Sequence, residues 1–478
     1  MHAPTNTFPQ RVTVALHDKR LQAALNHASG GFVAKRAAQV AALPEYEALR
    51  ERAREVKEHV LANLDGYLER YEAEVTRRGG HVHWASTAED AREIILSICK
   101  RVGAKTITKG KSMVSEEIGL NDALEAAGHK VVETDLGEYI IQLAHEPPSH
   151  IIVPAVHKTR AQVADLFDTA HRPLGYTKHL TEVSEMVNEA RQVLRRHYFE
   201  ADVGITGGNF LVAETGSSII VTNEGNGDLT QTLARVHIVT SGIERVVPTL
   251  DDATTFLRLL ARSATGQETE TYTTVSTGPR RRGDQGHDLD GPEEYHVVLV
   301  DNGRSKMLGG AFREMLRCIR CGACLNHCPV YTAVGGHAYG WVYPGPMGSV
   351  LTPLINGIEK AYDLPNACTL NGRCQTVCPV KIPLPGLLRE IRRQQFAGGM
   401  THWPVKLALQ SWAWVAKRAP LYHALMGLAM PVMHRLGRRR GALSSLPLAA
   451  GWTDTRDLPA PQGQTFQQAW KQRKGARS

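Results

Sequence analysis

The sequence predicts an α/β domain with a largely parallel β-sheet, followed by a helical module that carries most of the cysteines. Between residues 81 and 303, short apolar runs alternate with helical patterns, the order typical of a parallel sheet covered by helices. Seven of the eight cysteines then fall between residues 318 and 378. A chain of 478 residues has room for about three domains, so several modules are expected.

Residues 1–80 are expected to form a helical N-terminal region. The stretch 36–78 is rich in Glu, Arg, Leu and Ala, carries opposite charges four residues apart and ends at two glycines, which predicts one long amphipathic helix. Ser86 and Glu89 match a capping box that opens the next helix. Cys99 lies on the apolar face of that helix, so we expect a buried core thiol.

The α/β domain is predicted to span residues 81–303. A helix is expected near 159–169, and the apolar runs around it are KTITKG, KVVETD, HIIVPAVHK, SSIIVTNEG, RVHIVTSG and RVVPTL. The polar, Gly-rich stretch 276–294 is expected to be a loop in this domain or at its boundary. One more strand, YHVVLVDNG, follows that loop.

Residues 304–395 are predicted to form the cysteine module, and 396–478 a basic helical region broken at Pro420 and Pro431. Residues 389–478 hold 15 basic and three acidic side chains, whereas the rest of the chain holds 41 and 45. Such a tail suits a solvated face, an anionic membrane surface, nucleic acid or an acidic partner. No apolar stretch has the length of a signal peptide or membrane span, so we expect a cytoplasmic protein. A peripheral contact of the tail at the inner face of the membrane is one of the options left open, beside a plain solvated face.

The first cysteine group is Cys318, Cys321, Cys324 and Cys328, followed by proline. This spacing is the bacterial ferredoxin run, in which three thiolates bind one [4Fe–4S] cluster and the fourth binds a second cluster. Zinc is the alternative, but the cysteine pairs of zinc sites lie further apart in sequence than these. The group therefore predicts iron–sulfur clusters in a ferredoxin-like module.

The second group is a partial repeat of the first, with Asn371 where a cysteine would stand. If the last cysteine of each group binds the cluster of the other group, cluster one is bound by Cys318, Cys321, Cys324 and Cys378. Cluster two is then left with Cys328, Cys368 and Cys374. Cluster two is one thiolate short. It is either a [3Fe–4S] centre or a [4Fe–4S] centre with a labile iron bound by Asn371, water or another side chain. Two adjacent clusters predict an electron relay, and chemistry at the open iron is the lesser alternative.

A second candidate site lies in the α/β domain. Residues Lys109, Lys111, Ser112 and Ser115 follow a strand and precede a helix, where anions are favoured. GITGGN at 204–209, Glu214 and the stretch 223–226 add glycine turns and polar side chains, which are typical of ligand loops at strand ends but equally of plain turns and caps. Neither a dinucleotide-binding glycine motif nor a Walker A motif is present, so nicotinamide binding and NTPase activity are not supported.

Several histidines are further candidates. One of His145, His150 and His157 could act as the base for a hydroxyl proton, although structural roles are more common for such residues. His327 lies inside the first cysteine group, where we expect it to tune a cluster by hydrogen bonding.

Segments 105–160 and 204–227 resemble the LUD domain of lactate utilization proteins, and DNGRS at 301–305 followed by CIRCGACLNHCPVY resembles their iron–sulfur subunit. The resemblance covers residues 60–400 and most of the tail. It implies a fold similar to the ribose-phosphate isomerase and CoA-transferase group. It also implies one of three subunits that together oxidise L-lactate to pyruvate, with a cysteine-rich subunit and a second LUD protein as partners. Asn371 departs from the family's eight-cysteine pattern.

Two rival functions remain open at the level of sequence. The first is a stand-alone enzyme acting on an acyl-CoA or sugar phosphate, with Glu214 as nucleophile and the clusters as a redox sensor. The second is a redox-linked module on nucleic acid, which only the basic tail favours, so no nucleic acid is expected. The sequence predicts neither the catalytic residues for lactate nor the electron acceptor, and the isolated chain is expected to be inactive.

Overall fold

The computed structural model describes residues 7–281, 290–446, 453 and 456–475. By their internal contacts, residues 1–394 form one compact unit and residues 395–478 form another. Residues 282–289 of the predicted Gly-rich loop, and parts of the predicted tail, lie outside the described residues.

The N-terminal region forms several helices, so the prediction of one long helix over 36–78 is wrong. They are α1 (Phe8–His17), α2 (Lys19–Ala41), α3 (Tyr46–Ala62) and α4 (Leu64–Arg77). Helix α2 ends shortly before Pro44, because the residue that precedes a proline disfavours the helical conformation. Asn63, with φ −135° and ψ 37°, separates α3 from α4.

The predicted parallel sheet is confirmed. The strands of the first unit are β1 (His81–Ala85), β2 (Thr106–Lys109), β3 (Lys130–Glu133), β4 (Val203–Gly207), β5 (Phe210–Val212), β6 (Ser217–Thr222), β7 (Val236–Gly242), β8 (Val246–Val247), β9 (Tyr272–Ser276) and β10 (Glu294–Val300). Six of them form a sheet of order β1-β10-β7-β4-β2-β3, in which every pair is parallel. Strand β7 is buried along its whole length, as expected where helices cover both faces.

A second, mixed sheet has the order β8-β5-β6-β9. The run HIIVPAVHK at 150–158 belongs to neither sheet and consists of bends and turns, so a strand there is a wrong prediction. The reason is local: the His150 ring nitrogen Nδ1 accepts the backbone N–H groups of Ile152 and Val153, at 3.0 and 3.1 Å, which curls the chain back on itself.

The helices of the α/β domain are α5 (Ala88–Arg101), α6 (Met113–Glu117), α7 (Leu120–Ala126), α8 (Leu136–Leu143), α9 (Arg160–His171), α10 (Val183–Glu200), α11 (Asn226–Leu233) and α12 (Leu250–Ala264). Helix α9 agrees with the helix predicted near 159–169. The capping box of α5 is formed by Thr87 and Asp90, one residue later than predicted. Cys99 is fully buried, as predicted, and burial raises the pKa of its thiol to about 12.

The cysteine module is built from short helices: α13 (Arg304–Leu308), α14 (Ala323–Asn326), α15 (Pro329–Val334), α16 (Gly345–Asn356), α17 (Asp363–Asn366), α18 (Arg373–Val377) and α19 (Leu384–Ala397). One hydrophobic core runs from the N-terminal helices through the mixed sheet into this module. The predicted boundaries at residues 80, 303 and 395 remain predictions.

The second unit holds α20 (Trp403–Ala416), α21 (Ala419–Gly437), a short antiparallel pair of β11 (Ala442–Leu443) with β12 (Leu458–Pro459), and α22 (Phe466–Gly475). Pro420 stands at the start of α21, where proline is tolerated. Pro431 lies inside α21, so the predicted break at this residue is wrong. Within the described ranges, every helix is too short or too polar to cross a membrane.

Candidate functional site

The two cysteine groups fold into loops with the same backbone conformation. In the first loop, Arg320 and Gly322 have φ angles of 59° and 73°, and in the second, Leu370 and Gly372 have φ angles of 58° and 82°. Left-handed backbone is uncommon for residues with bulky side chains. Its recurrence at matching positions shows that the partial sequence repeat is also a structural repeat.

Backbone N–H groups point at several of the cysteine sulfurs. Arg320 N lies 3.4 Å from Cys318 Sγ, and Leu370 N lies 3.3 Å from Cys368 Sγ. The Sγ atoms of Cys328 and Cys378 accept from N–H groups at 3.5 and 3.4 Å. All eight cysteines are free. Donors aimed at sulfur stabilise thiolates and, through them, a bound metal cluster.

The seven clustered cysteines lie near one another in the cysteine module. Cys318, Cys321, Cys324 and Cys378 line one small cavity. Among the other three, burial together with the thiols of Cys368 and Cys328 raises the pKa of Cys374 to about 12. The assignment of these cysteines to two clusters stays a prediction.

The donor set fits iron–sulfur clusters better than a single ion. Among the described residues, the groups whose ligand atoms lie within 4.8 Å of one another contain histidine and carboxylate but no cysteine. A single zinc ion draws its ligands close together, whereas several irons spread them apart. Buried thiols also keep their protons without metal, so cluster binding must release protons.

Asn371 takes the place of Cys321 in the second loop but differs from it in burial. Its Oδ1 accepts the N–H of Arg373 at 3.0 Å, as the Cys321 thiol accepts the N–H of Ala323. Cys321 is buried, whereas Asn371 is exposed to solvent. The amide therefore reproduces the loop's hydrogen bond without supplying a charge. The buried hydroxyl of Tyr339 hydrogen-bonds with Cys328 and is another oxygen beside this set.

Basic side chains from distant segments surround the cysteine loops. Arg36 donates to the carbonyl of Val377 at 2.9 Å, Arg50 to that of Cys378 at 2.7 Å, and Arg392 to that of Cys368 at 2.7 Å. The sequence did not indicate these arginines, because each is distant along the chain from the cysteine loop that it contacts. His327 Nδ1 hydrogen-bonds with the carbonyl of Ala323 at 2.9 Å, and its tuning role stays a prediction.

The α/β domain contains a cavity of about 330 Å³. It lies at the carboxyl ends of β2, β4 and β7, where open α/β sheets bind ligands. The predicted residues that line it are Lys111, Ser112, Gly207, Gly208, Asn209, Asn223, Glu224 and Asn226. The lining also includes four charged residues that the sequence did not indicate: Asp135, Arg245, Glu270 and Arg320.

Other predicted residues lie outside this cavity. The Lys109 Nζ is buried and lies 2.8 Å from carboxylate oxygens of both Glu116 and Glu133. Ser115 hydrogen-bonds with Thr240 at 2.8 Å. Glu214 is exposed and accepts the N–H of Leu250 at the start of α12, at 3.2 Å, so its predicted place in the ligand site is wrong.

The candidate bases are occupied by structural contacts. His150 is buried, its Nε2 lies 3.1 Å from Asn326 Oδ1, and its Nδ1 accepts the two backbone N–H groups described above. Burial and the charge of Lys111 lower the pKa of His150 to about 3, which keeps the ring neutral. His157 pairs with Glu146 at 2.7 Å, and His145 stands in left-handed backbone outside the cavity lining.

A buried ion network joins the two parts of the first unit. Arg304 of the DNGRS segment donates to both carboxylate oxygens of Glu117 at 2.8 Å and to Glu244 at 2.7 Å. Tyr343 donates to Glu117 at 2.6 Å. Arg320, from the first cysteine loop, lies 3.3 Å from Glu244. A charged side chain that is buried in a core has to be paired with an opposite charge. Because Arg320 of the first cysteine loop takes part in this pairing, the network links that loop to the α/β domain.

These features define a LUD-domain protein that carries a cysteine module for iron–sulfur clusters. Family models match in three places: the LUD domain at residues 68–300, the 4Fe-4S dicluster domain at 314–382 and the C-terminal region of lactate utilisation protein B at 392–475. The chain belongs to the lactate utilization protein B family.

Several relatives are similar over nearly the whole chain. Lactate utilization protein B of Lysinibacillus sphaericus is 44% identical, and the match covers 99% of this chain and 98% of that protein. The same protein of Geobacillus thermodenitrificans is 42% identical, with 99% and 98% covered. An uncharacterized electron transport protein of Escherichia coli, YkgF, is 43% identical, with 97% and 96% covered.

Proposed function

We propose that this chain is the iron–sulfur electron-transfer subunit of a system that oxidises L-lactate to pyruvate. The observation that carries the proposal is the gathering of seven thiols within one module, built from two loops of the same conformation. The names of the relatives, which refer to lactate utilization and to electron transport, support the same reading.

Cluster one is proposed to be a [4Fe–4S] centre held by Cys318, Cys321, Cys324 and Cys378. Cluster two is proposed to be held by Cys328, Cys368 and Cys374, with an incomplete corner near Asn371. Such clusters supply one-electron redox chemistry. The chain's own part is to hold the thiolates, donate N–H groups to their sulfurs and surround them with positive charge from Arg36, Arg50 and Lys57.

The remaining subunits are proposed to be a cysteine-rich protein and a second LUD protein. They would supply the lactate chemistry, because no flavin or nicotinamide motif is recognisable in this sequence. The LUD domain is further proposed to share the fold of the ribose-phosphate isomerase and CoA-transferase group. The rival enzyme with Glu214 as nucleophile loses its support, because this carboxylate lies outside the cavity.

The test is anaerobic reconstitution of the full chain, followed by iron analysis and an activity assay. We expect about seven to eight irons per chain, given two clusters of three or four irons. Cys321→Ser should remove one centre and weaken its neighbour, whereas the control Cys99→Ala, outside both sets, should keep the full iron content. Binding of one zinc and no iron would contradict the proposal, as would lactate-dependent dye reduction by the chain without partners.

A further inference from the structure

Two buried arginines that line the 330 Å³ cavity have guanidinium nitrogens without a hydrogen-bond partner. Arg245 and Arg320 line the cavity, and each is only 7% exposed. Within the described part of the chain, Nε of Arg245 and both Nε and Nη1 of Arg320 have no hydrogen-bond partner. A buried polar group without a partner destabilises the fold, and a charged group does so more strongly. Such groups therefore point to a ligand.

The nearby carboxylates do not satisfy these two arginines. Glu244 is the acidic neighbour of both, yet it already pairs with Arg304 at 2.7 Å, and Arg320 reaches it only at 3.3 Å. Arg245 Nη1 makes a long contact of 3.5 Å with the carbonyl of Asn209. Lys57 adds a further buried positive charge beside Glu244. At this wall of the cavity, basic side chains outnumber acidic ones, so a ligand group that lies against Arg245 and Arg320 should be an anion.

The rest of the lining indicates which anion fits. Asp135, Glu224 and Glu270 also line the cavity, and Asp135 lies close to Glu224. As carboxylates, these groups oppose a phosphate dianion but accept a hydrogen bond from a hydroxyl group. Burial raises the pKa of Glu224 and Glu270 to about 7, and in the protonated form each can donate to a carbonyl oxygen. Apolar side chains, among them Ile151 and Leu260, complete the wall. A small organic acid with one carboxylate and one further oxygen function matches this combination.

We propose that this cavity binds a small organic carboxylate, whose carboxylate group is held by the free guanidinium edges of Arg245 and Arg320. Arginine is suited to this task because its planar fork can bind a carboxylate through two hydrogen bonds. Arg320 and Ile151 also line the cavity that holds Cys318 and its three companions, so the ligand lies one side chain away from cluster one. The choice of L-lactate and pyruvate as probes rests on the proposed function.

Calorimetric titration of the reconstituted, iron-loaded chain with L-lactate, pyruvate, acetate and inorganic phosphate tests the proposal. We expect saturable, one-to-one binding of L-lactate or pyruvate with Kd below about 1 mM, a common range for metabolites, and weaker binding of acetate and phosphate. Bound carboxylate should also alter the electron paramagnetic resonance signal of cluster one. Absence of saturable carboxylate binding, or tighter binding of phosphate, would overturn the proposal.

Variants decide whether the ligand lies in this cavity. Arg245→Gln should weaken carboxylate binding at least tenfold, whereas the control Arg235→Gln, at an exposed arginine outside the cavity, should not change it. If Arg245→Gln does not fold, Val153→Phe narrows the cavity from a partly exposed position without removing charge and should also weaken binding. Unchanged affinity in the folded variants would overturn the assignment, even if the potential of cluster one shifts, because the arginines would then only balance the cluster's charge.

The two proposals can fail separately. If the clusters assemble and can be reduced but the chain binds no carboxylate, the cavity assignment is contradicted and the proposed electron-transfer function is not. A chain that binds pyruvate at this cavity but takes up no iron would contradict the proposed function instead.

Discussion

Asn371 is the residue at which the two cysteine loops differ most in chemistry. Its amide keeps the backbone hydrogen bond to Arg373, so the second loop retains its shape without a fourth thiol. The amide brings no negative charge to iron, and its exposure lets water reach that corner. Asparagine at this position therefore keeps the conformation of the loop but removes a thiolate ligand.

Mild oxidation of the iron-loaded chain should release one iron from cluster two and give a [3Fe–4S] electron paramagnetic resonance signal. Asn371→Cys should abolish that signal, because a thiolate would bind the labile iron, and should lower the potential of this cluster by adding negative charge. Asn366→Cys is the matched control, since it adds an exposed thiol nearby but outside the loop position. An oxidised wild type with two intact cubes would instead favour another ligand, such as Tyr339.

Arg304 is the residue that neutralises two buried carboxylates. Arg304→Gln should reduce the free energy of unfolding by about 3–5 kcal/mol, because Glu117 and Glu244 would be left without their main counter-charge. The control Arg235→Gln, at an exposed site, should change it by no more than about 0.5 kcal/mol. Denaturant unfolding of the full chain measures both. Equal stability of the two variants would show that the network is not needed for folding.

The same network predicts a response to acid. Burial opposes ionisation of Glu244, but Arg304, Arg320 and Arg245 together lower its pKa from 4.5 to about 2. Because the folded-state pKa lies below the unfolded value, this stabilisation is present above pH 4.5 and is lost as the pH falls towards 2. Wild-type stability should fall across this interval, and in Arg304→Gln the fall should be shallower. Parallel curves for the two proteins would contradict the assignment.

At the scale of elements, the two cysteine loops repeat a backbone but sit in different surroundings. A Cβ atom at Gly322 would lie 3.1 Å from Ile152 and 3.2 Å from His150, whereas one at Gly372 would meet nothing within 4 Å. Both glycines have positive φ angles, so both resist replacement for the same backbone reason. At this glycine position, the first loop is packed closely against the α/β domain, whereas the second loop has open space.

Alanine at these two glycines gives a matched comparison. Each variant should lose about 1–2 kcal/mol of stability from left-handed backbone. Gly322→Ala should lose more, because its methyl group also presses on His150 and Ile152, and it should weaken loading of cluster one. Thermal unfolding and iron content of the two reconstituted variants provide the measurement. A larger loss in Gly372→Ala would show that packing of the first loop does not matter.

At the scale of the whole molecule, the second unit exposes an unusual amount of apolar surface. Trp403, Trp412 and Trp414 are 75%, 65% and 55% exposed, and α20 has no buried residue among those described. Arginines 438–440 follow the end of α21. Aromatic side chains beside basic ones are typical of a surface that contacts anionic lipid.

We expect the full chain to sediment with vesicles that contain anionic lipid at low salt, and to be released as salt screens the arginines. Replacing Trp412 and Trp414 by alanine should weaken this binding, whereas Trp84→Ala, an exposed tryptophan of the first unit, should not. Substituting glutamine for arginines 438–440 should weaken it by about 1 kcal/mol per residue. No vesicle binding, together with intact assembly with partner subunits, would assign this surface to a protein instead.

The sequence by itself determined the α/β class, the parallel sheet and the presence of a cysteine module for iron–sulfur clusters, because periodicity and cysteine spacing are local properties of the chain. It also indicated Lys111, Ser112 and Asn209, which follow strand ends. Tertiary structure alone decided that Glu214 lies outside the cavity and that Arg245 and Arg320 both line it. It also decided that His150 stabilises a turn through two backbone hydrogen bonds and does not belong to a strand. Those outcomes depend on contacts between segments that are distant along the chain, and such contacts leave no periodic or spaced signal in any single segment.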